Sequence, residues 1–259
     1  MDAPVLQSQV FDAPWDAPSF RGLPGLRLAE RDGWIAVDDA FADQMSLREK
    51  ILSEKADLVL AQLPEARAAI DECLSELLKI LPRFGYSNAE DRITRPDGQT
   101  VAVDRENPLD CLGRLTQSDT CILQAGQGGS FRLTAAALCF PFGWTLSEKI
   151  GHSMARIHMP IGAYDEAVGA RVDRLLAGLK VGAPVWRANQ QWQETTALFT
   201  PRSESAGLKV PSPTAGYLRT ERQCLVRLPQ TGAIAFTIHT CLVPATKAPP
   251  ALAALREAQ

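Results

Sequence analysis

The chain has 259 residues, 46% of them hydrophobic and 22% charged, enough to bury the core of one large domain or of a domain with a smaller lobe appended. Its net charge of -3 comes without a basic tract, which argues against a nucleic-acid partner, and no apolar run approaches the ~18 residues of a membrane span. The opening MDAPVLQSQVFDAPWDAP carries an early acid and no basic n-region, so a secretory signal is not expected and the cytoplasm is the expected location. The six cysteines (Cys73, Cys111, Cys121, Cys139, Cys224, Cys241) form no CxxC pair and sit mostly in apolar runs, as reduced, buried thiols do. Cluster spacing is missing as well, so any iron–sulfur centre would belong to another chain.

Residues 1–28 are rich in proline and aromatics, among them Phe11, Trp15, Pro18 and Phe20, and read as an extended arm anchored by large side chains. The organisation expected is an arm over 1–30, one domain over 31–247 and a short tail over 248–259. Trp34–Val37 reads as a short strand, followed by a helix from about Phe41 to Glu54. A second, amphipathic helix runs over Ala66–Ile80, with Ile70, Leu74, Leu77 and Leu78 on one stripe, and Leu81-Pro82 closes it. Thr94–Gly98 is a turn between two short extended runs, and Asn107–Leu115 a short helix with Pro108 in its first turn. Asp119–Gln124 is a strand. The glycine loop over 125–129 is no dinucleotide fingerprint, because Phe131 stands where the third glycine would be and no helix follows.

Phe131–Phe140 reads as a core strand, ended by the corner Pro141-Phe142-Gly143. Thr145-Leu146-Ser147-Glu148 has the form of a capping box, and Leu146, Ile150, Met154 and Ile157 repeat at helical spacing. Pro160 stops that helix close to His158. A further helix covers Asp165–Lys180. Val185–Asn189 is a short strand leading into a polar loop, and residues 201–217 a surface excursion or lid. A hairpin closes the fold, with strands over Arg222–Leu228 and Ala233–Val243 and a turn over Pro229–Gly232; a short tail of helix-forming composition follows Pro249.

In the last strand Ile234, Phe236, Ile238 and Leu242 face one way, and Ala233, Ala235, Thr237, His239 and Cys241 the other. The small-residue side either takes a helix at close range or leaves a slot for a flat cofactor. Of the three histidines, His152 and His158 are six apart and cannot share a metal from one helix face. His158, at a helix end beside an apolar stripe, is the best-held candidate ligand, with His239 as a rival. A single histidine suits heme better than zinc; the plainer alternative is a core histidine bonded to a backbone carbonyl. The run Arg219-Thr220-Glu221-Arg222-Gln223 suits carboxylate recognition, such as heme propionates, or else a solvated salt-bridge cluster. Ser203 and Ser205 lack the histidine and acid of a hydrolase.

Four stretches together resemble the heme-dependent oxidative N-demethylases: RLTAAALCFPFGWTLSEKIGHSMARIHMPIGAY, RPDGQTVAVDRENPLDCLGRL, VWRAN and LRTERQCLVRLPQTGAIAFTIHT, with FRGLPGLRL and WIAVDD near the start. The resemblance covers most of the chain. It implies a PAS-like α+β fold, an antiparallel sheet with flanking helices holding heme b. It implies O2 activation at the iron and conversion of a small methylated secondary amine to the primary amine and formaldehyde. Electrons would come from NADPH through FMN and an iron–sulfur centre on partner subunits. His158 would be the axial iron ligand, with Arg219, Arg222 and His239 on the cofactor side and Arg222, Asn189 and Tyr164 on the catalytic side. The chain departs from the family pattern at Gln190, at Ile161-Gly162-Ala163 and at Cys241. Those positions belong to expected pocket edges, so the resemblance speaks to heme more than to any one amine. Competing expectations are a PAS-like gas sensor without turnover and a cofactor-free scaffold of the same fold.

Overall fold

The computed structural model describes residues 4–10, 25–158, 166–207 and 214–257. The strands are β1 (Arg27–Leu28), β2 (Leu60–Gln62), β3 (Ser87–Ala89), β4 (Arg92–Thr94), β5 (Thr100–Ala102), β6 (Asp119–Ala125), β7 (Phe131–Ala137), β8 (Val185–Gln193), β9 (Tyr217–Arg227) and β10 (Ile234–Pro244). The helices are α1 (Phe41–Glu54), α2 (Ala56–Val59), α3 (Arg67–Ile80), α4 (Pro108–Leu115), α5 (Met154–His158), α6 (Glu166–Gly178) and α7 (Pro250–Glu257). Seven strands form one antiparallel sheet in the order β1-β8-β9-β10-β6-β7-β2, and β3-β4-β5 form a small second sheet. The fold is α+β, as expected.

The β9–β10 hairpin is the spine of the main sheet, paired from Ile234↔Arg227 to Pro244↔Tyr217. Its turn is held from below, because the Glu72 carboxylate of α3 accepts the backbone N–H groups of Gln230 (2.5 Å) and Thr231 (2.8 Å). Partners across an antiparallel ladder share a face. On one face, therefore, lie Ala235, Thr237, His239 and Cys241 of β10 with Cys224, Arg222 and Thr220 of β9. On the other lie Phe236, Ile238 and Thr240 with Leu225, Gln223 and Glu221, continued on β8 by Val185, Arg187 and Asn189.

The first face is closed along its length, and the slot for a flat cofactor is not there. Ala233, Ala235 and Cys224 belong to the largest core cluster, beneath Ile70, Cys73, Leu74 and Leu77 of α3 and Leu112 and Leu115 of α4. Small side chains admit the helices at short range: a Cβ on Gly113 of α4 would stand 3.2 Å from Leu52 and 3.6 Å from the Ala137 methyl. Farther along, Trp192, Leu218, Cys241 and Val243 are covered by Leu252 of α7, and Arg256 of α7 lies 4.4 Å over the Trp192 ring. The arm joins here too, since Gln7 pairs with Leu242 through its backbone N–H and its side-chain oxygen.

Several local expectations change. Trp34–Val37 is irregular rather than a strand, because side chains take the carbonyls a ladder would use: Thr237 Oγ1 donates to Trp34 O, and Arg222 to Gly33 O (2.8 Å). The single helix expected over Leu146–His158 is broken into a 3-10 turn (Leu146–Glu148) and α5. Gly151, at φ +80°, leaves the helical region and pairs with β7 through Gly151 N–H to Leu133 O (2.7 Å) and Leu133 N–H to His152 O (3.0 Å). No side chain of Thr145 caps that turn, and Glu148 instead accepts Ser203 Oγ–H (2.6 Å) and the Glu204 N–H (3.0 Å). The polar segment after Asn189 is strand rather than loop, because β9 starts at Tyr217 and supplies partners through Gln193. All six cysteines are buried and none is in a disulfide, and burial pushes the Cys73 and Cys139 thiols up to about 12.

Candidate functional site

The second face is apolar at one end and polar at the other. Ile234, Phe236, Ile238, Leu225 and Val185 pack with Leu146, Ile150, Met154 and Ile157 and with Leu176 and Leu179 at the end of α6. The four positions read as one stripe thus share one cluster, although no continuous helix carries them. Arg227 fastens α6 down by donating to its last carbonyls, Leu176 O (2.7 Å) and Ala177 O (3.1 Å), and to Leu179 O (2.8 Å). Beyond Ile238 the same face turns polar, with Arg187 and Asn189 of β8 beside Gln223, Glu221 and Arg219 of β9. The β9 residues are linked along the strand: Arg219 Nε donates to Glu221 Oε1 (3.1 Å), and Gln223 Nε2 to Glu221 Oε2 (3.2 Å).

His158 stands at the end of α5 against this face, with Met154 and Ile157 of the same helix in the Ile238 cluster. Its Nδ1 is 2.8 Å from the Met154 carbonyl oxygen. A carbonyl only accepts, so Nδ1 carries the proton and the neutral ring has its lone pair on Nε2. Burial pushes the imidazole below its ordinary pKa, and the Lys149 and Arg187 charges press in the same direction. At neutral pH the ring is therefore neutral. A neutral imidazole with one nitrogen fixed by a carbonyl and the other carrying a lone pair is the form in which histidine binds a metal.

Arg187 contrasts with the other arginines of this face. Its Nε is shut off from solvent and meets no hydrogen-bond partner among the described residues, and burial lowers its pKa against the opposing pull of Glu221. Among the described residues no three His, Cys, Asp or Glu side chains gather as a metal-ion site. An iron bound at His158 would accordingly need most of its ligands from elsewhere, as a porphyrin supplies them.

Residues 25–254 match the family model described as haem-dependent oxidative N-demethylase, alpha subunit-like. The chain belongs to that family. The donor set fits the group the family name implies, because a tautomer-fixed histidine is accompanied on this side of the sheet by a guanidinium whose Nε meets no acceptor among the described residues.

Within this N-demethylase-like chain the sequence-derived candidates fall on both sides of the sheet. Asn189 and Arg219 share the face of His158; Asn189 Oδ1 accepts the Gln190 N–H (2.9 Å). Arg219 is built into the fold: besides Glu221 it donates to Leu198 O (3.2 Å), Phe140 O (2.6 Å) and Thr240 Oγ1 (3.2 Å), 5.1 Å over the Phe142 ring. Arg222 and His239 lie on the opposite, closed face. Arg222 stacks 5.0 Å over Trp186, and His239 Nε2 is 2.9 Å from Asp38 Oδ2 in a buried pair. The sheet thus stands between His239 and His158. Tyr164 lies outside the described residues. Arg187 was not singled out from the sequence, although it sits in the VWRAN stretch two residues before Asn189; that alternation was the signal available.

The edge of the site is tied by ion pairs. Glu204, in the segment 201–207, takes Lys149 Nζ and Arg156 (3.0 Å), which together hold its carboxyl down at about 2. Lys149 Nζ also donates to Ile157 O (2.9 Å), next to His158. The segment expected to be a surface excursion is therefore fastened, through its first part, to the elements that carry the histidine.

Proposed function

We propose that this chain is the catalytic, heme b-binding subunit of a monooxygenase that removes a methyl group from a small secondary methylamine. The observation that carries the reading is the bond from His158 Nδ1 to Met154 O, which fixes the ring in the tautomer an iron ligand through Nε2 would need. When bound, the heme supplies the redox and oxygen chemistry, and the protein supplies ligand, orientation and surroundings. The overall reaction balances as amine R–NH–CH3 plus O2, two electrons and two protons giving R–NH2, formaldehyde and water. One oxygen atom leaves in formaldehyde and the other in water. The electron pair is supplied by NADPH through FMN and an iron–sulfur centre on partner subunits, in keeping with the family's description as an alpha subunit and the cysteines scattered through this sequence.

The residues of this chain have separate tasks in that reading. His158 would hold its proton at Nδ1, and burial, which lowers its pKa, favours the neutral ring that a ligand needs. Glu221, pinned by Arg219 and Gln223, gives a fixed negative group on the platform, where an ammonium can be oriented, and Asn189 adds a polar edge. Arg219 and Arg222 act in the fold around the site, and Tyr164 is retained as a candidate on the catalytic side. The PAS-like reading of the sheet, the division into arm, domain over 31–247 and tail, and a cytoplasmic location rest on the resemblance and on the thiols. Among the described residues no helix is long and apolar enough to cross a membrane.

The test is heme reconstitution followed by turnover. A Soret band at about one heme per chain, with formaldehyde released from a methylated amine when reductase and NADPH are added, is the expected result. A heme protein that binds O2 but releases no formaldehyde from any methylated amine would instead be a sensor.

A further inference from the structure

We infer that Arg187 is the carboxylate-binding residue of the His158 site, taking either a propionate of the heme or the carboxylate of a zwitterionic methylated amine. The inference rests on the heme reading above and deepens it. The other cations of this face are completed within the chain. Arg219 spreads over Glu221, Phe140 O, Leu198 O and Thr240. Arg227 is used up on the carbonyls that end α6 and on Gly232 O (2.7 Å), and Lys149 and Arg156 share Glu204.

Arg187 has no such arrangement: its Nε is sealed from water without an acceptor among the described residues. The acid whose charge reaches it, Glu221, already accepts from Arg219 and Gln223 on its two oxygens. A half-buried guanidinium whose Nε is sealed without an acceptor is costly, and one charged carboxylate would relieve it through a planar, two-pronged contact. The position is right for a ligand of the histidine. Arg187 shares a sheet face with Gln223 and with Ile238, which packs with Met154 and Ile157 of α5, the helix that ends at His158.

The experiment titrates the heme-free chain with heme and with heme dimethyl ester, whose propionates carry no charge, following the Soret band in wild type, Arg187→Gln and Arg187→Lys. If the propionate is the partner, wild type prefers free-acid heme and Arg187→Gln cuts that preference by roughly tenfold, as expected for loss of a charged hydrogen bond. If the substrate is the source, the preference stays, but Arg187→Gln abolishes the Soret shift caused by N-methylglycine while keeping that caused by dimethylamine. Arg187→Lys keeps the charge without the fork, loses part of either effect, and serves where the glutamine variant does not fold. A wild type that binds heme, with variants unchanged in both comparisons, overturns the inference alone. A wild type that takes up no heme overturns the heme reading and the inference with it.

Discussion

Two arginines of this protein, Arg48 and Arg187, are treated in opposite ways. Arg48 of α1 is fully buried where α1 crosses the end of the sheet, and each nitrogen is used: Nε on Gly113 O (3.1 Å), Nη1 on Asp119 (2.7 Å), Nη2 on Ser118 O (3.2 Å). Asp119 in turn accepts the N–H groups of Cys139 (2.7 Å) and Phe140 (3.0 Å), so one ion pair locks α1, α4 and the corner after β7. Arg187 is desolvated at Nε and has no acceptor among the described residues. A protein that completes a buried guanidinium from its own groups, and among its described residues leaves the sealed Nε of a half-buried one without an acceptor, separates a structural charge from one kept for something outside the chain. The first belongs to folding, the second to binding.

That separation can be broken in order of expected effect. Arg48→Met leaves Asp119 charged and buried beside two amides, and we expect a loss of about 3–5 kcal/mol in urea unfolding, with heme affinity per folded chain unchanged. Asp38→Asn comes next. Asp38 accepts from Gln117 (2.6 Å) and Gln7 (2.9 Å) and pairs with His239, which outweighs the opposing effect of burial and leaves its pKa below the ordinary carboxylate range. The stability it contributes is present above about pH 3.9 and is lost as pH falls from there through the folded-state value. The asparagine variant should lose about 1–3 kcal/mol at pH 7 and show a flatter acid limb in a series of unfolding curves. The smallest effect belongs to Glu204→Gln, at a tie near the surface. Its Tm should hardly move, while hydrogen exchange at residues 201–207 and around Ile157 should speed up. A large fall in Tm would mean that the tie is structural and that the contrast between closed core and adaptable site edge is drawn in the wrong place.

Much of the scaffold was legible because its signals are local. The helices α1, α3 and α4 follow from spacing and from Pro108 at a first turn, and the β9–β10 hairpin from alternation about Gly232, which takes φ +68°. What escaped depends on partners distant in sequence. Gln190–Gln193 read as loop by composition and are strand because β9 lies alongside. The alternation of β10 assigned its two faces correctly, but small residues opened a place for α3 and α4 rather than for a ligand. At His158 two readings that looked exclusive describe one side chain. The carbonyl bond of a core histidine is the same bond that fixes the tautomer a ligand needs. Arg187 was invisible because a missing partner is a property of three dimensions.

The most direct measurement is heme content after reconstitution of His158→Ala and His239→Ala beside wild type, read from the Soret band against protein concentration. The account predicts that the His158 variant loses the band or binds heme with an altered spectrum. The His239 variant, changed on the closed face, should bind heme as wild type does even if its Tm falls. A normal spectrum in His158→Ala with loss in His239→Ala would contradict the account and move the site to the other side of the sheet.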